Sequence, residues 1–347
     1  MDAKQLLRVM QQYTARKRTL EPERYAAMQE FHDTCAGALD APKMEPGRSP
    51  DEIRKELARL EARSAVLREL LAGKWPDDQV MRDVLGVGPI ELEEAREEIF
   101  PIIRPIPERL VLMTFDDATI DHIGQAAPIL ERHGGRGNFF VCEMAQGMFG
   151  GPGFADKTRF MTWEQIRQLH ERGHEIVNHS MHHDPRAYAG GPDDYVREEA
   201  ALLEARCEEN GIPRPTAFGY PGGQCTARHE AILHEAGYLW ARGDMQGDRY
   251  HRAACAHYDP LVDSPLAMPS FNTAPMMTRE RLKEVVEGAT NGCVAVLAYH
   301  SVDGHDFESQ TFEEQVALIY DLGGRCITFR QLAGYIDPVR AYDYTHL

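Results

Sequence analysis

Four short segments concentrate the side chains able to carry hydrolytic chemistry. Thr114-Phe115-Asp116-Asp117 ends an apolar run with two acids, and Asn178-His179-Ser180-Met181-His182-His183 ends another with three histidines. Phe218-Gly219-Tyr220-Pro221-Gly222-Gly223 is a glycine-rich turn, and Ala298-Tyr299-His300-Ser301 closes a further apolar run with a histidine. Two imidazoles and one carboxylate, with a coordination position left for water, suit a mononuclear divalent-metal hydrolase. His179 and His183 are four residues apart, so one helical turn would bring both rings to the same side. One of the adjacent aspartates could complete the ligand set. The other, pointing elsewhere along the strand, is then free to act as a base on water. Taken singly, each segment also has a plain structural reading: a solvated His-rich loop, a packed His300, a tight turn at Gly222-Gly223. Their joint appearance, each at a strand end, favours chemistry.

Those segments need strands to carry them. Leu110–Phe115, Asn138–Cys142, Glu175–Asn178, Ala217–Tyr220, Cys293–Tyr299 and Arg325–Phe329 read as strands. Ile120–His133, Trp163–Arg172, Asp194–Asn210, Arg228–Ala236 and Phe312–Leu322 read as helices, several closed by glycine. Strands alternating with helices of this length imply parallel βαβ units. About seven such units in the available length fit a barrel-like α/β fold, with an open doubly wound sheet as the alternative. In either arrangement, polar residues at the carboxyl ends of the strands meet on one rim.

Residues 1–105 read differently. Ser49 and Glu52 form a capping-box pattern with Pro50 at the first helical position. Ile53, Leu57, Leu60, Leu67 and Leu71 then share one helix face, before Gly73. Weaker helices are expected near 2–18 and 91–99. This part is expected to be a helical extension of 1–105 that caps the second unit or mediates self-association. Pro101, Pro105 and Pro107 mark the boundary to 106–347.

The chain has 347 residues and a net charge of −17. Its first 105 residues hold 17 basic and 20 acidic side chains, and the remainder holds 21 and 35, so the acidity belongs to the second unit. Such a surface argues against nucleic acid and against anionic membrane as partners, because both are held by basic patches. A neutral carbohydrate or a small amide suits it better. No run of apolar residues is long enough for a membrane span. Seven cysteines without a Cys-x-x-Cys pair read as reduced thiols. With no secretory pattern at the N-terminus, the expected location is cytoplasmic.

At these residues the sequence resembles the polysaccharide deacetylase family (the NodB homology domain, carbohydrate esterase family 4) over roughly residues 109 to 335. Thr114–Asp117 is similar to the family's T-F-D-D motif, and His179–His183 to its H-[S/T]-x-x-H motif. Leu297-Ala298-Tyr299-His300 is similar to its L-x-L-H motif. The resemblance implies a distorted (β/α)7 barrel with Asp116 as general base and Asp117, His179 and His183 as metal ligands. It also implies His300 as general acid, with His182 outside the ligand set. One divalent ion is implied, Zn2+ first, with Co2+, Mn2+ or Ni2+ as alternatives. The implied reaction removes N-acetyl groups from an amino sugar or its polymer. The turn Tyr220-Pro221-Gly222-Gly223 would lend a backbone N–H to the oxyanion. Trp163, Tyr220, Phe271 and Tyr299 are candidate sugar contacts, with core packing as the competing reading for each.

The chain departs from the family pattern in two places. Gly219 stands where the R-x-P-Y-G motif has its base-orienting Arg, and Gly222 replaces the aromatic. The fourth motif is not matched clearly; Trp240, Asp244 and Asp248 are the nearest candidates. The missing Arg leaves open an amidohydrolase acting on a small cyclic amide. A non-catalytic sugar-binding module is the reading from outside enzymology.

Overall fold

The computed structural model describes residues 77–85, 100–143, 158–184, 193–223, 225–243, 257–261, 263–273, 277–303 and 311–346, with Val66 and Glu69. Helices predicted at 2–18 and 91–99 lie outside these residues, as does most of the one after Ser49; Val66 and Glu69 are helical.

Nine strands occur among the described residues: β1 Leu110–Phe115, β2 Asn138–Val141, β3 Glu175–Asn178, β4 Ala217–Gly219, β5 Trp240–Arg242, β6 His257–Tyr258, β7 Phe271–Asn272, β8 Val294–Tyr299 and β9 Arg325–Ile327. β1 lies between β2 and β8, and β2 to β5 follow outward in chain order, all parallel. The approach to β7 closes the curl. Ala241 and Gly243 donate to the carbonyls of Pro265 and Met268, and Met268 donates back to Ala241. β7 then pairs in parallel with β8. Seven parallel staves thus form a distorted barrel. Antiparallel β6 on β8 and parallel β9 on β1 are additions to it. β9 and β2 share one edge of β1. The buried Asn138 fills the fork, its amide donating to Met113 and Ile327 while its oxygen accepts from Phe329 N–H.

Helix α1 Asp78–Leu85 precedes the strands, and the others follow them: α2 Ala127–Arg132, α3 Trp163–Glu171, α4 Asp193–Glu209, α5 Ala227–Glu235, α6 Arg279–Gly288, α7 Phe312–Asp321, α8 Phe329–Leu332 and α9 Pro338–Thr345. Alternation along β1 sends Val111, Met113 and Phe115 outward among helix residues such as Ile166 and Val316. It sends Leu110 and Leu112 inward with Phe140, Val177, Trp240, Val294 and Val296. The inward period reaches Arg242 at the end of β5 and, one residue past β1, β3 and β8, Asp116, His179 and His300, so four polar side chains crown an apolar interior.

Two expected elements are corrected. The helix expected at Ile120–His133 opens as a π-turn over His122–Ala126 before α2 begins. Ala127 N–H reaches His122 O five residues back, and Pro128 has no N–H to extend an α-pattern there. The strand expected at Arg325–Phe329 stops at Ile327, because Thr328 and Gln331 form a capping box that starts α8.

Candidate metal centre and catalytic site

Asp117, His179 and His183 each offer one ligand atom within 4.8 Å of the others. Asp117 Oδ1 lies 3.3 Å from His183 Nε2 and 3.7 Å from His179 Nε2. The histidines do not sit on a helical turn as their spacing suggested. Ser180 and His183 have φ of 60° and 52°. Asn178 Oδ1 accepts from Ser180 N–H, and Ser180 Oγ from His183 N–H, which folds a tight non-helical bend. Asp117 and Ala118 also have positive φ, 73° and 53°. Among described residues, six non-glycines adopt positive φ, and four of them lie in these two loops. Each costs about 1 kcal/mol or more. That strain sits where the ligand side chains are aimed.

His179 is fully buried and donates from Nδ1 to Gly219 O at 2.7 Å, so Nε2 carries the lone pair that faces Asp117. Burial holds its pKa down at about 3, against the charge of Asp116, so the ring is neutral. His182 turns away. Its ring and its backbone N–H both engage the buried Glu199, at 2.7 and 2.8 Å.

The two adjacent aspartates are driven apart electrostatically. Burial raises Asp117, against the pull of His183 and His300. Burial would raise Asp116 too, but the charge of Arg242 and its hydrogen bond, with His179 and His300 alongside, hold it at about 2. Arg242 is fully buried, with Nη2 2.8 Å from Asp116 Oδ2. Its guanidinium lies over the Phe140 ring, 4.5 Å from the centroid. The sequence reading passed over this residue, although it stands between Trp240 and Asp244. Gly219, where the family pattern has Arg, has no room for a side chain. A Cβ there would lie 2.1 Å from Phe140 Cδ2 and 2.9 Å from His179 Nδ1. A buried cation near the base thus comes from β5 and not from β4. Trp240, a fourth-motif candidate, is core; Asp244 and Asp248 lie outside the described residues.

His300 leaves the end of β8 with Nε2 4.0 Å from Asp116 Oδ2, and its side chain is 36% exposed. It is open to an incoming ligand in a way that Asp116, 2% exposed, is not.

The aromatic candidates are corrected. Tyr220 and Tyr299 are fully buried, their hydroxyls donating to Leu266 O and Gln315 Oε1. Phe271 is buried beneath the Arg281 guanidinium. Trp163 packs on the core, and its indole N–H donates to Glu143. Tyr220, Phe271 and Tyr299 serve packing, because outward strand positions face the helices, and Trp163 opens α3 with its ring partly buried against the core. In the glycine-rich turn Gly223 N–H already donates to Tyr220 O, which withdraws it as an oxyanion donor. Pro221 has no N–H to offer. Gly222, at φ 65°, remains the candidate.

Whether a metal fits is tested by the orphaned atoms. Asp117 Oδ1 and His179 Nε2 are buried without a hydrogen-bond partner. Leaving such atoms unsatisfied costs roughly 1–3 kcal/mol each, and one cation between them would satisfy both. A carboxylate and two imidazoles form a donor set suited to a first-row divalent ion.

An α/β barrel with this centre on its rim is a hydrolase-type scaffold. Residues 104–241 match the family model for polysaccharide deacetylase. Over those residues the chain is similar to the polysaccharide deacetylases, hydrolases acting on carbon–nitrogen bonds other than peptide bonds. Among curated proteins it is 24% identical over 239 residues to a peptidoglycan-N-acetylglucosamine deacetylase of Bacillus cereus, covering 67% of this chain and 91% of that protein. Solved structures similar to it include a chitin deacetylase from Colletotrichum lindemuthianum (TM-score 0.44, 16% identity, 69% of this chain and 94% of that one). Another is a carbohydrate esterase family 4 pseudoenzyme from Bacillus anthracis (TM-score 0.42, 14% identity, 70% and 71%). Among described residues no helix is long and apolar enough to cross a membrane.

Proposed function

We propose that the chain is a metal-dependent deacetylase that hydrolyses the N-acetyl group of an amino sugar or its oligomer, releasing acetate. The observation that carries this reading is the buried Asp116–Arg242 pair beside the Asp117, His179 and His183 cluster. A divalent ion held by those three residues, most naturally Zn2+, would acidify water and polarise the acetamide carbonyl. Asp116 accepts the proton of the attacking water on Oδ1. Arg242 occupies Oδ2 and keeps the carboxyl ionised and fixed in orientation. Gly222 N–H donates to the oxyanion, and His300 returns a proton to the departing amine. Arg242 also removes the main reason for preferring a small cyclic amide as substrate, namely an unsupported base. The similarity to a peptidoglycan-N-acetylglucosamine deacetylase supports the sugar reading.

The test is elemental analysis combined with acetate release from N-acetylglucosamine oligomers, run beside a panel of cyclic amides. Asp116→Asn is expected to keep its metal and lose about 10²–10⁴-fold in turnover. His179→Ala is expected to lose the metal. Full metal retention in His179→Ala, or hydrolysis of the cyclic amides alone, overturns the reading.

A further inference from the structure

His300 sits one residue past β8, where no strand pairing holds it, yet its ring must reach the centre. The groups that fix this backbone come from the loop that carries Asp116 and Asp117. His122 Nε2 donates to the carbonyl of His300. Asp121 Oδ2 accepts from Val302 N–H, and the Ser301 hydroxyl lies 3.0 Å from the same oxygen. Three consecutive residues of the His300 loop are thus tied to two consecutive residues of the base loop. The tie continues the sheet, since Asp116 N–H donates to Tyr299 O at 2.8 Å.

His122 is built for this bond. It is fully buried, its ring set against Phe115 and Phe139 at 5.5 and 5.6 Å. Facing a carbonyl, Nε2 must carry the proton, and burial keeps the ring neutral against the pull of Asp121. The residue also opens the π-turn. Such turns are rare and concentrate at functional sites.

We propose that Asp121 and His122 are positioning residues that latch the His300 loop to the Asp116–Asp117 loop and so set the reach between His300 and Asp116. This rests on His300 being the proton donor. A proton transfer depends steeply on that reach, and a displacement of about 1 Å can cost about 10²-fold in rate.

The experiment compares His122→Phe, which fills the aromatic cage without a donor, with His122→Gln, which restores one. Asp121→Ala is the second route, leaving the cage untouched. Acetate release from N-acetylglucosamine oligomers is measured with metal content, thermal midpoint and the imidazole resonances of 15N-histidine-labelled protein. His122→Phe is expected to lower kcat about 10- to 100-fold with KM within about twofold, to keep its metal, and to shift or broaden the His300 resonances but not those of His179. His122→Gln should recover most of the turnover, and Asp121→Ala should resemble His122→Phe. Wild-type kcat with unchanged His300 resonances in both His122→Phe and Asp121→Ala overturns the latch. Full turnover in His300→Ala overturns the proton-donor assignment instead, and the resonances then decide the latch alone.

Discussion

The Asp116–Arg242 pair can be broken from either side, and the two routes should not add. Arg242→Met keeps the stem and its contact with Phe140 but deletes the charge. Asp116 is then a buried carboxylate that has lost its hydrogen-bonded cation. In the intact protein Asp116 sits at about 2 against an ordinary 3.8, although burial works in the opposite direction. That displacement alone is worth roughly 2 kcal/mol, so the attraction that outweighs burial is larger still. Removing one member of a buried pair typically costs about 3–5 kcal/mol, because the other is left uncompensated. Arg242→Met and Asp116→Asn are each expected to lose about 3 kcal/mol, and the double variant clearly less than their sum. The expected coupling is at least about 2 kcal/mol. The assay is urea denaturation of the four proteins in EDTA, so that metal binding does not enter the balance. Arg242→Lys keeps the charge without the planar fork and should fall between. A coupling below about 0.5 kcal/mol, as for an exposed pair, would refute the view that Arg242 orients the base. So would wild-type turnover in Arg242→Met.

Three shorter expectations follow from the same geometry. Gly219→Ala drives a Cβ into Phe140 and His179; it should cost about 1–3 kcal/mol and lower metal content, and an unchanged thermal midpoint with full metal would contradict the packing account. His174 accepts from Gly137 N–H on Nδ1 and meets Glu131 through Nε2, so the neutral ring fits and the charged one does not. Burial holds it at about 4 against 6.5. A folded pKa below the unfolded one gives stability that is complete above about 6.5 and is lost as pH falls through about 4, up to roughly 3 kcal/mol. Denaturation at pH 7 and 4.5 should show that loss, and His174→Gln, which keeps both bonds, should flatten it. His300→Ala should lower turnover by about 10²–10⁴ without changing metal stoichiometry, measured by acetate release beside elemental analysis.

Much of this was legible in the residues. Strands β1, β2, β3 and β8 announce themselves as buried apolar runs, and the polar residues that follow them gather as expected of a parallel barrel. Strands β5 and β7 were missed, because three and two residues are too short to show a period. Both are held by neighbours distant in sequence, through Pro265, Met268 and Ala298. Arg242 was missed for the same reason: without β5 there was no strand end on which to place it. The interior parity Trp240, Arg242 is the signal that would have found it. The aromatics went wrong in the complementary way. Tyr299 stands beside His300 in the chain but on the opposite face of β8, so proximity in sequence sent it away from the site. Helix α6 was also missed, although Thr278 caps it and Leu282, Val285 and Val286 are its buried residues.

What the site demands of an arginine is a place in the barrel mouth within reach of Asp116 Oδ2, and no particular strand owns that place. The stave ends around the mouth present their inward residues to one small volume. At the end of β4 that volume is taken. Phe140 lies against Gly219, and the Gly219 carbonyl is spent on fixing the tautomer of His179. An arginine there would displace a ring on one side and a ligand on the other. At the end of β5 the inward position lies across the same Phe140 ring, whose face supports the guanidinium where its edge excludes a side chain on Gly219. Phe140 therefore couples the two positions: it empties one and furnishes the other. Restoring the family residue by Gly219→Arg in this background should then fail to support the base, and should do so even in Arg242→Gly, unless Phe140 is made small as well. Recovery of acetate release in Gly219→Arg/Arg242→Gly with Phe140 intact would show that the cation's position is set by something other than this ring.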